Sequence, residues 1–350
     1  MLHNSESDYP FGRRSRADSK GGSQDAIAVK DLVKRFGSFT AVKGISFSVK
    51  AGEIFGLLGP NGAGKTTTIS MITTTLSHTS GSIKLYGVDV LKSKDTARQM
   101  IGIVFQDPSL DDQLTAWENL DFHARLYNVK EGKKEIISNV LKLVELSDKA
   151  DALVSTFSGG MRRRLEIARG FIHHPKVLFL DEPTLGLDPQ TRRKIWDYII
   201  KLNKEQGLTI ILTTHYLEEA DILCDRLAVI DHGKIIKTGT PEALKTSLGG
   251  DIVRVGAAKK KELCRLLENR NFIKSIKETT DGLEISTKDG SRVIPLIAKI
   301  ADSNKIELDY TTIKRPSLED VFISLTGRGI REEGAEAGSA WAKFSRGGRR

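Results

Sequence analysis

Hydrophobic and polar positions change period several times along the chain. From Ala26 the pattern is strand-like, and Ile45, Phe47 and Val49 alternate with Ser46, Ser48 and Lys50. A period of two marks a strand with one buried face. Ile54–Leu58 is apolar except for Gly56 and runs straight into a glycine-rich loop. A helix is predicted from about Lys65, with Ile69, Ile72 and Leu76 on one face. Residues 107–173 read mostly as helix, because Ile136, Val140 and Val144 share a face, as do Ile137 and Leu141. A short apolar strand follows over 177–180, then a helix over about 189–205 and a second apolar strand over 208–213. Apolar strands alternating with helices predict a parallel sheet covered on both faces.

Gly249-Gly250 marks a domain boundary. Beyond it the pattern predicts strand (252–256), helix (259–270), two strands (about 272–278 and 282–287), helix (291–302) and strand (305–311), an order that is ferredoxin-like. A last helix, over about 317–325, is expected to pack back on the main domain. Residues 1–25 are rich in Ser, Gly, Asp and Arg without periodicity and read as a disordered leader; residues 328–350 read as a disordered basic tail. The predicted organisation is therefore an α/β domain over 26–249, with a helical subdomain at about 107–173, and a small α+β domain over 250–327. No internal repeat is visible.

Composition narrows the class. The chain has 350 residues, enough for about two domains, and its 39% apolar content supports a packed core. Two cysteines, Cys224 and Cys264, rule out a disulfide framework and fit a reducing cytosol. No apolar run approaches the roughly 18 residues of a membrane span, and the Arg13-Arg14 pair has no apolar stretch behind it. Any membrane role is thus expected to come through a partner. The net charge of +9 is spread along the chain, which weakens a nucleic-acid reading. The basic tail reads as a solvated segment before it reads as a contact for an anionic membrane surface.

Three motifs carry candidate chemistry. Gly59-Pro60-Asn61-Gly62-Ala63-Gly64-Lys65-Thr66 fits G-x-x-x-x-G-K-[ST], with a strand before it and a helix after it. Glycines at this spacing let successive N–H groups point inward at phosphate oxygens, and the helix N-terminus adds partial positive charge. Lys65 supplies a point charge for the β- and γ-phosphates, and Thr66 a hydroxyl for Mg²⁺. The apolar strand at 177–180 ends in Asp181-Glu182. Asp181 suits Mg²⁺, directly or through water, and Glu182 suits a water-polarising base; taken alone, the pair reads equally well as a solvated strand end. Ser158-Gly159-Gly160 opens a helix with Ser158 as an N-cap, and by itself is no more than that.

Weaker features have plainer readings. His173-His174 before Pro175 reads as a helix-end pair rather than a metal site. Arg162-Arg163-Arg164 reads as a solvated helix face with one arm salt-bridged, ahead of a phosphate contact. Lys259-Lys260-Lys261 reads as the exposed start of a helix. Trp117 and Trp196 read as packing residues; Trp341 shares no spacing with them.

In combination these motifs resemble the ATP-binding subunit of an ABC transporter over about residues 26–245. Gly59–Thr66 resembles the Walker A loop, Gln106 after the apolar run 101–105 the Q-loop, and Phe157–Met161 the signature. Leu180-Asp181-Glu182 closes a Walker B strand, Leu185-Gly186-Leu187-Asp188 resembles the D-loop, His215 the switch histidine, and Phe36 an adenine-stacking aromatic. The signature departs from the family's Leu-Ser-Gly-Gly-Gln by ending in Met161. The finer resemblance, in Ser158–Arg169, Thr213–Ala220 and Pro316–Phe322, is to exporter ATPases of the daunorubicin-resistance type.

The resemblance implies a P-loop NTPase fold of ABC ATPase type, a mixed sheet with antiparallel β and helical subdomains. It implies ATP and Mg²⁺, the metal held by Thr66, Asp181 and Gln106. The nucleotide would be held by Phe36, the loop Gly59, Pro60, Asn61, Gly62, Ala63, Gly64, Lys65, Thr66 and Thr67, and, from a second copy, by Ser158, Gly159, Gly160 and Asp188. Glu182, His215, Lys65 and Gln106 would carry catalysis. Since the chain holds one copy of each motif, a head-to-tail dimer with two ATP at its interface is expected. Gln106 and the segment 114–127 would pass motion to separate membrane-spanning permease subunits, at the cytoplasmic face of the membrane. Competing classes are a soluble ABC-type ATPase acting on ribosomes or DNA and a non-catalytic nucleotide-binding regulator. A single cassette without a long heptad run argues against the first, and the intact Lys65, Asp181, Glu182 and His215 against the second.

Overall fold

A computed structural model describes residues 25–107 and 109–327. The leader and tail expected from the sequence lie outside the described residues, except Asp25, which opens the first strand. The chain divides into two compact units, residues up to 237 and residues from 238 onward.

The first unit holds two sheets. β1 (Asp25–Phe36) and β2 (Phe39–Lys50) form a long antiparallel pair. With β4 (Ser80–Leu85) and β5 (Val88–Asp89) they make a sheet ordered β2-β1-β4-β5. The alternation predicted in β2 is real: Ile45, Phe47 and Val49 are buried. The second sheet is ordered β10-β9-β3-β8-β7-β6. Its strands are β3 (Ile54–Leu58), β6 (Ile101–Val104), β7 (Val177–Asp181), β8 (Thr209–Thr214), β9 (Arg226–Asp231) and β10 (Lys234–Gly239). Pairing is parallel from β9 through β3, β8 and β7 to β6. Every residue of β3, β7 and β8 is buried, as expected of central strands covered on both faces. Phe47 of the first sheet stacks on Phe55 of the second at 5.4 Å, inside one continuous core.

Register decides where the loops emerge. Leu58 lies opposite Thr214, and Asp181 opposite Thr213. The loops after β3, β7 and β8 therefore leave the sheet side by side at its carboxyl edge, where open α/β sheets bind ligands. Around this sheet lie α1 (Lys65–Ile72), α2 (Lys94–Gln99), α6 (Pro189–Gln206) and α7 (Leu217–Leu223). The predicted helical stretch contains α3 (Ala116–Leu126), α4 (Lys133–Leu143) and α5 (Gly159–Phe171), which pack on one another.

α1 stops before Leu76, which the periodicity had placed on it. Thr74 adopts φ 63°, and the Leu76 amide reaches back to the Ser70 carbonyl at 2.9 Å. The Thr74 amide bonds the Met71 carbonyl at 3.3 Å, the inner bond of a Schellman-type stop, and the turn still leaves Leu76 against the core.

The second unit begins with α8 (Pro241–Thr246). It continues through β11 (Asp251–Ala257), α9 (Lys260–Leu267), β12 (Ser275–Thr279), β13 (Gly282–Thr287), α10 (Gly290–Ser303) and β14 (Leu308–Lys314), ending in α11 (Leu318–Thr326). The antiparallel sheet is ordered β12-β13-β11-β14, the ferredoxin-like arrangement expected from the sequence. Val253, Val255, Leu283 and Ile285 on one sheet face meet Leu263, Leu267, Val293 and Ile297 of α9 and α10 in a separate core. α11 packs on α8.

Candidate functional site

The loop from Gly59 to Gly64 links β3 to α1. Gly64 has φ 101°, and a Cβ there would lie 2.9 Å from the Ala41 carbonyl oxygen, so the backbone path requires glycine. Gly64 also takes the N-cap position of α1 with no side-chain cap. The first amides of the helix, including those of Thr66 and Thr67, are thus available to an anion cradled by Pro60, Asn61, Gly62 and Ala63. Lys65 is buried, and its ammonium donates to the Gly59 carbonyl at 2.7 Å and the Pro60 carbonyl at 3.2 Å. It lies 3.1 Å from Glu182 Oε1.

The end of β7 brings the acids to the same place. Asp181 Oδ1 accepts from Thr66 Oγ1 at 3.2 Å and from the hydroxyl of Thr213. The Glu182 amide donates to Thr213 Oγ1 at 3.1 Å, and Glu182 itself takes φ 48°. A left-handed conformation is uncommon for a residue with a Cβ. It turns the Glu182 carboxylate toward His215, whose Nδ1 lies 2.7 Å from Oε2.

The two acids titrate in opposite directions. Burial pushes the Asp181 carboxyl up, helped by the neighbouring Glu182 charge and opposed by the Thr213 and Thr66 hydroxyls and by Lys65. Burial also pushes on Glu182, but the His215 hydrogen bond and the Lys65 charge outweigh it and hold Glu182 below the ordinary carboxylate range. The solvated-strand-end alternative for Asp181-Glu182 does not hold, since both are buried.

A second group forms elsewhere in the same unit. Ser158 caps α5 by accepting from the Met161 amide at 3.3 Å. A Cβ on Gly160 would lie 2.4 Å from the Thr191 methyl, so the signature corner is seated directly on the start of α6. Asp188 caps α6, accepting from the amides of Gln190 and Thr191 at 3.1 and 3.0 Å. A side-chain hydrogen bond from Thr191, joined by these amides, lowers its carboxyl. Among the described residues no hydrogen bond or ion pair joins Ser158, Gly159, Gly160 or Asp188 to Lys65, Asp181, Glu182 or His215. Gln106 is exposed just past β6 and makes no hydrogen bond to Thr66 or Asp181. Phe36 is exposed at the end of β1, with the Lys34 ammonium 4.8 Å from its ring centre.

Sequence reasoning missed several groups at this site. Thr213 bridges Asp181 and Glu182; its signal was a polar residue inside a fully buried strand. Glu219, also buried, accepts from Thr184 Oγ1 at 2.7 Å and from Trp196 Nε1 at 3.0 Å, and burial pushes its carboxyl up. Trp196 therefore does more than fill space. The arginine run is not a solvated face. Arg163 is buried, Arg164 donates to the Val144 carbonyl at 3.0 Å and Tyr198 Oη at 3.1 Å, and Arg162 reaches Asp112. His173 lies just past the end of α5, as the helix-end reading has it, but it is packed. It stacks on Tyr127 at 3.7 Å, meets the Ile101 carbonyl at 2.9 Å, and burial drives it down to about 4.

Comparison with known proteins accounts for both units. A family model described as ABC transporter matches residues 42–185, and one described as the C-terminal domain of DrrA1-3-like ATP-binding proteins matches residues 239–326. The linearmycin resistance ATP-binding protein LnrL of Bacillus subtilis (strain 168) is 41% identical over 312 residues, covering 87% of this chain and 100% of that protein. The daunorubicin/doxorubicin resistance ATP-binding protein DrrA of Streptomyces peucetius is 39% identical over 317 residues, covering 89% of this chain and 95% of that one. Among solved structures, cbiO1 of Clostridium perfringens, part of the ABC transporter complex cbiONQ, matches with a TM-score of 0.60 and 32% identity, over 63% of this chain and 90% of that one.

Proposed function

The chain belongs to the ABC transporter family, among ATP-binding proteins with a DrrA-like C-terminal domain, and on that premise we propose how its residues divide the work. It is the ATP-binding and ATP-hydrolysing subunit of an ABC exporter, working with membrane permease subunits. The alternative of an ATPase acting on ribosomes or DNA gives way to this reading.

The phosphate loop and Lys65 hold the ATP phosphates, and Phe36 stacks on the adenine. Glu182, ionised and oriented by His215, draws the proton of a water placed for attack on the γ-phosphate. His215 fixes that carboxylate and reaches the γ-phosphate, and Lys65 stabilises the charge that develops as the phosphoryl group leaves. Thr66 Oγ1 and Asp181 Oδ1, two oxygens 3.2 Å apart beside the phosphate loop, fit Mg²⁺. That ion takes one or two protein oxygens and completes its shell with water and phosphate. It would supply charge neutralisation on the phosphates. Gln106, exposed just past β6, is the ligand that would join on closure.

Ser158, Gly159, Gly160 and Asp188 serve a second copy's nucleotide. The observation that carries this is that a capped helix start, an anion site by its own geometry, shares no hydrogen bond or ion pair, among the described residues, with the Lys65–Glu182–His215 cluster of its own chain. Two chains head to tail would complete each other's pockets around two ATP.

The cargo is proposed to be a drug, lipid or similar hydrophobic compound, because the relatives are named for linearmycin and daunorubicin/doxorubicin resistance. Among the described residues no helix is long and apolar enough to cross a membrane. The proposed location, the cytoplasmic face of the cell membrane, follows from pairing with a permease.

Glu182→Gln tests the assignment. The variant should bind ATP normally, lose hydrolysis by a factor on the order of 10²–10⁴, and elute as a dimer in size-exclusion chromatography with ATP. Hydrolysis at the wild-type rate would remove Glu182 from its role, and a monomer under saturating ATP would remove the paired site.

A further inference from the structure

Arg163 lies in the first turns of α5 and is 8% exposed. Its guanidinium is surrounded by acceptors from both sides of the site. Nε donates to the Pro183 carbonyl at 2.7 Å, and Nη2 to the carbonyls of Asp181 and Glu182 at 3.0 and 3.2 Å. Nη1 donates to the Phe105 carbonyl at 2.7 Å and to Glu166 Oε2 at 2.8 Å. The other Glu166 oxygen, Oε1, accepts from the Ser109 amide at 3.0 Å.

Three consecutive carbonyls can face one cation here because Glu182 is in the left-handed region. A non-glycine residue in that region is strained and persists only where its surroundings over-determine it. Arg163 supplies that determination. A planar fork with several fixed donors can serve carbonyls on two loops at once, which a single ammonium cannot. The charge itself is compensated by Glu166, as a buried cation requires.

We infer that Arg163 is a positioning residue for ATP hydrolysis. It fixes the turn that aims the Glu182 carboxylate at His215, and it ties that turn to the segment carrying Gln106. The inference rests on the reading of Glu182 given above. α5 begins at the Ser158 cap, so one helix carries both the corner offered to a partner's nucleotide and the clamp on its own chain's base. Docking of that corner is thereby felt at Glu182 of the same chain, in addition to the pocket it completes across the interface.

The test is steady-state kinetics of the full chain carrying Arg163→Lys, with nucleotide affinity and the melting curve measured alongside. The phosphate loop is untouched, so ATP affinity and KM should stay within about threefold of wild type. kcat should fall at least about tenfold, the size of effect expected from misplacing a reacting group by a fraction of an ångström to an ångström. On a Glu182→Gln background the same substitution should lower hydrolysis no further. Wild-type kcat in a folded Arg163→Lys variant overturns the inference, and so does a loss of ATP affinity as large as the loss of kcat. If Arg163→Lys melts below the assay temperature, Glu166→Gln decides: kcat down about threefold or more at unchanged KM supports the inference, and unchanged kcat overturns it. Glu182→Gln run in parallel separates the two readings. If it is inactive while Arg163→Lys is fully active, only this inference fails; if it is fully active, the reading of Glu182 fails first.

Discussion

Asp181 accepts both of its side-chain hydrogen bonds, from Thr66 and Thr213, through the single oxygen Oδ1. An amide oxygen could accept the same two. Its carboxyl is raised, led by burial, so the native state holds the Asp181 proton more tightly than the unfolded chain does. The sign follows: above both values its charge opposes folding, and the penalty is relieved as pH falls through the raised native pKa. Asp181→Asn should therefore raise the melting temperature of the nucleotide-free protein by a few degrees, about 2–4 °C per kcal/mol at this size, while abolishing hydrolysis. A lower melting temperature would contradict this account. Glu182 has the opposite sign, since its lowered pKa stabilises the fold above the unfolded value and is lost as pH falls through the native one. Two adjacent acids after an apolar strand were legible as a site. Their opposite electrostatics were not, because these depend on His215, Lys65 and Thr213, which the chain brings in from far away.

At the scale of elements, the strands that build the site were readable because burial on both faces leaves an almost unbroken apolar run: β3, β7 and β8 carry that signature. β4 and β10 do not. Only Ile83 and Leu85 of β4 are buried, and β10 alternates exposed and half-buried residues. Backbone pairing holds them, β4 between β1 and β5 and β10 at the edge beside β9, and pairing leaves little trace in composition. α5 misled in the other direction. Three consecutive arginines look like solvent, yet Arg163, Glu166, Ile167 and Gly170 fall on one helical face and are all buried. The overlooked signal was an opposite charge three residues on.

α3 and α5 meet through aromatic contacts that give a pH test. His123 and Tyr127 of that junction approach at 5.0 Å, and Tyr127 stacks on His173. Burial, with Arg169 and His173 adding for His123 and His174 for His173, drives both histidines down to about 4. The unfolded chain takes up these protons near 6.5 and the native one only near 4. The stability they contribute is thus fully present above about 6.5 and is lost as pH falls between these values, at up to roughly 1.4 kcal/mol per pH unit for each. Urea unfolding at pH 7 and pH 5 should show a shallower dependence in a His123→Asn, His173→Gln variant than in wild type. Equal dependence would show that the two histidines are not held neutral.

For the whole molecule, every residue proposed to serve the nucleotide lies in the first unit, while the second has a core of its own. The ferredoxin-like order of that second unit was legible from its alternating strands and helices. Its helix α8 was not assigned to it, because Gly249-Gly250 is the more visible break in sequence and the division falls earlier, at residue 238. On the proposed head-to-tail pairing, one phosphate loop and one signature corner per chain would leave a lone copy holding ATP in half an enclosure. The most direct measurement is the ATPase rate per subunit, without permease, as the protein is diluted at saturating ATP and Mg²⁺. The account predicts a specific rate that falls toward zero with dilution, in direct proportion to protein concentration at the low end, so that the total rate follows its square. A specific rate that stays constant down to concentrations where sedimentation finds only single chains would contradict it.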